Sequence, residues 1–161
     1  MRNRLVTLCD KGLELAQLTE IVAVLVAALN LVAGALGAWA WYRGEAGRAF
    51  WHAVRAGQAA ASVLALLAAV LLVSGFDASD DLLYLYLVLP VTVSIIAEQL
   101  RIASAQTVLD QLGLEDAQAV GRLEEARQHD VVWAIARREA GVMTVAAFVI
   151  AFLALRVLGT V

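Results

Sequence analysis

The stretch IVAVLVAALNLVAGALGAWAWY, Ile21 to Tyr42, decides the fold. It carries no charge, and Asn30 is its only amide. A helix needs about 20 predominantly apolar residues to cross the hydrocarbon core of a bilayer. Only helices and closed barrels satisfy their backbone polar groups there. Working outward, three more segments of this kind follow: Gly57 to Phe76, Leu82 to Leu100 and Ala140 to Thr160. The expected architecture is all-α: an integral membrane four-helix antiparallel bundle, with residues 1–161 forming a single membrane domain.

Composition agrees with this reading. Of 161 residues, 62% are hydrophobic, whereas soluble domains sit nearer half. The formal net charge of −3 gives no electrostatic footprint for nucleic acid. A single cysteine, Cys9, excludes an intrachain disulfide and any cysteine-clustered metal site. The first apolar run starts only at Ile21 and is too long for a cleaved signal, so it is expected to stay as the first helix.

The flanks supply detail. Leu5, Leu8, Leu15 and Leu18 recur at helical spacing among charges, which predicts a short interfacial helix over 1–20. Ala23, Ala27, Asn30, Gly34 and Ala38 recur at steps of three or four and predict one small-residue packing face. Trp39, Trp41 and Tyr42, with Phe50 and Trp51, read as an aromatic belt rimmed by Arg43, Arg48 and Arg55. The acidic segment Asp77 to Asp81 predicts a tight turn at the other face. Pro90, the only proline, frees the carbonyl of Tyr86 and predicts a kink, with Thr92 or Ser94 able to compensate. Beyond Leu100 the helical spacing continues through Val108, Leu109 and Leu112 to a cap at Gly113. Val120, Leu123, Val131, Ala134 and Ile135 then lead into the last span. Residues 101–139 therefore read as a helical hairpin projecting beyond the lipid.

Basic residues set orientation. Arg43, Arg48, Arg55, Arg101, Arg122, Arg127, Arg137 and Arg138 place loops 43–56 and 101–139 in the cytoplasm, although Arg2, Arg4 and Lys11 weigh the other way.

Ionisable groups near lipid are costly and face a partner or a cavity. Asn30, Arg55, Gln58, Glu98, Arg101 and Glu139 are the candidates for a polar network or a transport path. Glu98 precedes Arg101 by three residues, which permits a same-helix pair. Arg55 and Glu139 fall at similar depth. The plain reading is an interfacial network that holds helix register; the sharper one is a proton- or substrate-linked carboxylate at Glu98. At the opposite face Arg156 is expected to pair with Glu20, Asp77 or Asp81, or to snorkel to headgroups. His52 and His129 are the only histidines. His52 is the candidate contact for haem or a quinone, while a solvated histidine explains each more simply. Two histidines without convergent carboxylates make no metal site. No catalytic residue is assigned, because no P-loop, dinucleotide fingerprint or Ser-His-Asp spacing occurs.

Tyr84-Leu-Tyr86, then Leu89-Pro90, then Ala97-Glu98-Gln99-Leu100-Arg101 through Gln106, together with Arg137-Arg138-Glu139, resemble a pattern in uncharacterised small bacterial membrane proteins. The resemblance is strongest over the third span and implies a four-span fold in a bacterial plasma membrane. It implies no activity. Some of those proteins carry a histidine just before the Tyr-Leu-Tyr stretch, where this chain has Leu83.

Three functions follow as expectations. The leading one is a non-enzymatic membrane subunit or scaffold that self-associates or joins a larger membrane complex, with the lipid bilayer as a further partner and no nucleic acid. The second is a small transporter or channel past Glu98. The third is a haem- or quinone-binding redox subunit.

Overall fold

The computed structural model describes residues 2–43, 46–73, 82–114 and 117–158, with side chains except at 2–14, 16 and 117. These residues form α1 (Arg2–Arg43), α2 (Arg48–Val73), α3 (Leu82–Gln111), α4 (Ala117–Val120) and α5 (Glu125–Val157), with no strand among them. Residues Gln17–Arg43 of α1 and all of α2, α3 and α5 are long and apolar enough to cross a membrane. The chain is an all-α four-helix bundle. α1 packs on α2 and α5, and α3 packs on α2 and α5, so the four long helices form a ring. The Asp77–Asp81 turn and the side chains of Leu5, Leu8 and Cys9 lie outside the described residues.

The packing seam has a period that hydropathy does not reveal. On α1, Thr19, Ala23, Val26, Asn30, Ala33, Gly37 and Ala40 are buried, at alternating steps of four and three. α2 repeats the rhythm with Phe50, Val54, Gly57, Ala61, Leu64, Ala68 and Leu71. α3 does so from Leu83 through Leu87, Pro90, Ser94 and Ala97. On α5, Ala140, Met143, Ala147, Ile150, Ala154 and Val157 continue it. A repeat of 3.5 residues is the signature of left-handed bundle packing. Small residues dominate the seam because lipid tails are as apolar as leucine, so helices associate through close backbone approach rather than through hydrophobicity.

Glycines show the closest approaches. A Cβ on Gly34 would stand 2.8 Å from the Phe148 ring. One on Gly37 would collide with the Thr144 hydroxyl and lie 2.7 Å from the Phe50 ring. Both glycines thus seat large side chains of neighbouring helices against the α1 backbone.

Several expectations change. The 1–20 segment is not a separate helix: α1 runs unbroken from Arg2 into its span, and Thr19 Oγ1 donates to the Leu15 carbonyl at 2.8 Å. Ala38 is exposed, since repeated steps of four drift off a 3.5-residue seam, and Ala33, Gly37 and Ala40 take its place. α2 begins at Arg48, ahead of the apolar segment that starts at Gly57, and the Phe50 amide donates to the Gly47 carbonyl at 3.1 Å in its first turn. Phe50 is a core residue, 2% exposed, rather than part of the aromatic belt. α3 stays helical on both sides of Pro90, as a helix kinked at proline also does. The hydroxyls of Thr92 and Ser94 donate to the carbonyls of Val88 and Pro90, not to that of Tyr86.

Gly113 caps α3 as expected. Its φ is +68°. The Leu114 amide donates to Leu109 at 2.9 Å and the Gly113 amide to Asp110 at 3.1 Å, the paired bonds of a Schellman motif. Val108 and Leu109 on the α3 tail and Val131 on the α5 head are buried where these helices pack on each other.

Candidate functional site

The candidate polar residues converge at the α2–α3 seam, toward the end of the bundle that carries most of the arginines. Glu98 lies 16 residues into α3, about 24 Å along the axis at 1.5 Å per residue. With Leu82 at one edge of a hydrocarbon core about 30 Å thick, that distance would bring Glu98 near the other edge. Heptad spacing on α2 carries Arg55 and Gln58 to one side of the seam, facing Glu98.

Glu98 organises the cluster. Its Oε1 accepts from Arg55 Nη1 at 2.7 Å and from Gln58 Nε2 at 2.8 Å. Arg55 Nη1 also donates to Gln58 Oε1 at 2.8 Å, which turns the amide toward the carboxylate. Glu98 Oε2 lies 3.1 Å from Arg101 Nε, the same-helix pair that the i, i+3 spacing permits. The N–H of Arg101 is buried and not aligned on that oxygen, so this contact is coulombic rather than a directed hydrogen bond. Arg101 also lies over the Trp51 ring, 5.5 Å from its centroid. Each charged member therefore has an opposite charge in reach, and two cations surround one anion.

The remaining candidates separate. Glu139 is half-buried on α5 and joins no ion pair among the described residues; Arg55 meets Glu98 instead, because α2 packs on α3 and lies across the ring from α5. Asn30 is 2% exposed and donates to the Val26 carbonyl at 2.9 Å, while its amide fits against Gly57. Asn30, Gln58 and Ser94 border a cavity of about 10 Å³ among the four helices, the size of about one water. This polar layer divides two apolar clusters, one around Leu64, Leu83 and Leu87 and one around Phe50, Val54 and Met143.

At the other end Arg156 lies over the Tyr86 ring at 5.8 Å and makes no ion pair with Glu20 among the described residues. Asp77 and Asp81 lie outside them. His52 and His129 are both exposed, and no group of three His, Cys, Asp or Glu side chains converges among the described residues. Leu83, at the place of the histidine in the resembling proteins, is a core residue at 1% exposure.

Sequence reasoning missed Trp51 as the platform for Arg101, Tyr86 as that for Arg156, and Ser94 as a wall of the central cavity. The seam period would have pointed to Ser94, which falls on it with Pro90 and Ala97. The two cation–π contacts had no sequence signal, since they depend on which helices are neighbours.

Set against known protein families, curated proteins and solved structures, the chain matches none of them.

Proposed function

We propose that this chain is a non-enzymatic integral membrane subunit or scaffold of a bacterial plasma membrane, with loops 43–56 and 101–139 in the cytoplasm. One observation carries the reading: among the described residues, the charged cluster at the α2–α3 seam is spent on itself, and the cavity between the four helices is small. The central cavity of about 10 Å³ has no room for a substrate beyond a water. Glu98 engages Arg55, Gln58 and Arg101, which suits a residue that locks α2 to α3 in register. The apolar surface outside that core is what remains to be used. The test is native mass spectrometry of protein extracted gently from its own membranes. An added protein mass, or a multiple of the 17.1 kDa chain, is the expected result. A lone chain at every extraction condition, with no partner captured by prior crosslinking, would overturn it.

A second reading, passage of protons or ions past Glu98, is favoured by the polar lining of the central cavity beside that carboxylate. It requires flux in proteoliposomes that Glu98→Gln abolishes while the protein stays folded. The absence of flux in the parent protein would dispose of it. A haem or quinone subunit using His52 would need a coloured or quinone-bearing preparation.

A further inference from the structure

A large concavity among the described residues lies outside the core. It runs along α3 and α5 with a volume of about 790 Å³ and includes Ile96 and Leu100 on one wall and Val142, Val145 and Val149 on the other. Its mouth carries Trp133, Arg137 and Arg138 of α5, with Trp41 of α1 alongside. From Arg137 to Val149 is 12 residues, about 18 Å of helix. That is close to the depth of one leaflet of a hydrocarbon core about 30 Å thick.

Charge decides what fits. Neither Arg137 nor Arg138 has a carboxylate partner among the described residues, although Arg55 and Arg101 both do. Arg137 is held over the Trp133 ring, 5.2 Å from its centroid, and this fixes a guanidinium at the mouth. Guanidinium groups match phosphate oxygens in paired hydrogen bonds. Unpaired arginines above an apolar trough, at the level of an aromatic pair, complement a headgroup with its chain below.

Gly141 lies in the wall of this trough, and a Cβ there would meet nothing within 4 Å. That is open space, in contrast to the seam glycines, whose Cβ positions are occupied.

We propose that the α3–α5 groove binds one anionic glycerophospholipid, its phosphate on Arg137 and Arg138 and one acyl chain lying past Gly141 toward Val149. The site is distinct from the Glu98 cluster and stands whether or not the chain is a subunit of a complex. It selects headgroup charge through the arginines and retains the lipid through the groove.

The full-length protein in detergent, titrated with phosphatidylglycerol or with phosphatidylcholine of identical chains and read by native mass spectrometry, tests this. One phosphatidylglycerol per chain should be retained about tenfold more tightly than phosphatidylcholine. The double variant R137Q/R138Q should lose about 30-fold in phosphatidylglycerol affinity, taking ~2 kcal/mol for two basic residues, and lose less for phosphatidylcholine, whose choline already offsets the charge of its phosphate. Gly141→Leu should obstruct the path of the acyl chain and weaken both lipids alike, with helicity and elution unchanged because its Cβ enters open space. Equal retention of the two lipids by the parent protein would overturn the proposal, as would full retention by R137Q/R138Q. Full retention by Gly141→Leu would overturn the acyl-chain placement. Should R137Q/R138Q fail to fold, the parent's lipid preference and the Gly141→Leu result decide it alone.

Discussion

Distance and burial make opposite predictions for the two arginines on Glu98, and a double-mutant cycle separates them. Arg55 is nearer, at 2.7 Å against 3.1 Å for Arg101. Distance alone makes Arg55 the stronger partner. Yet the Arg55 side chain is 56% exposed and that of Arg101 only 25%. Losing Glu98 lets the Arg55 head turn to water and headgroups, as long basic side chains do at an interface. Arg101 has less freedom, with its Nε buried and its guanidinium over Trp51. Unit charges about 3 Å apart attract by ~5 kcal/mol at an effective dielectric constant of about 20, before desolvation offsets most of it. What survives should be about 2 kcal/mol for Arg101, whose partly buried guanidinium is left without its counter-charge when Glu98 is lost. For Arg55 it should be below about 1 kcal/mol, as for exposed pairs. The cycle uses Glu98→Gln with Arg55→Gln and with Arg101→Gln, measured by reversible unfolding in mixed micelles. Glutamine keeps one oxygen for Arg55 and Gln58 but can turn an amide donor toward Arg101, so Glu98→Gln alone should cost about 2 kcal/mol. A coupling for Arg55 equal to or larger than that for Arg101 would refute the argument from burial.

Other substitutions probe the frame. Gly37→Val drives a side chain into Thr144 and Phe50; it should destabilise the bundle by about 1–3 kcal/mol, as overpacking does, seen as a lower thermal transition in detergent. Gly141→Ala meets open space and should be neutral or stabilising by up to ~1 kcal/mol through helix propensity in the same scan. Phe50→Ala removes a fully buried ring from the α1–α2–α5 packing and should cost about 3–5 kcal/mol; a loss below 1 kcal/mol would place the ring in the belt after all. Gly113→Ala strains a residue at φ +68° and should cost about 1 kcal/mol, read as faster protease cleavage after α3.

The chain by itself determined how many helices are long and apolar enough to cross a membrane. Four uncharged or nearly uncharged runs of about 20 residues leave no other way to satisfy the backbone in lipid. It also determined the α3 cap, because only a residue tolerant of positive φ ends a helix as Gly113 does, and the Glu98–Arg101 pair, because three residues of helix bring those side chains together. Which face of each helix turns inward was not legible from hydropathy. Exposed Ile21, Leu66 and Phe152 are as apolar as buried Leu64 or Ile150, so no amphipathic contrast marks the core. The signal was the 3.5-residue recurrence of small and polar residues, which the steps from Ala23 to Ala38 only partly followed. The partners across the ring were decided by tertiary structure alone. Arg55 meets Glu98 and not Glu139 because α2 packs on α3 and lies across from α5. Phe50 became core, although it borders the belt in sequence, because the missing Cβ of Gly37 lets its ring edge approach the α1 backbone. Pairing between helices depends on the order in which they close the ring, and that order is a property of packing that no single segment contains.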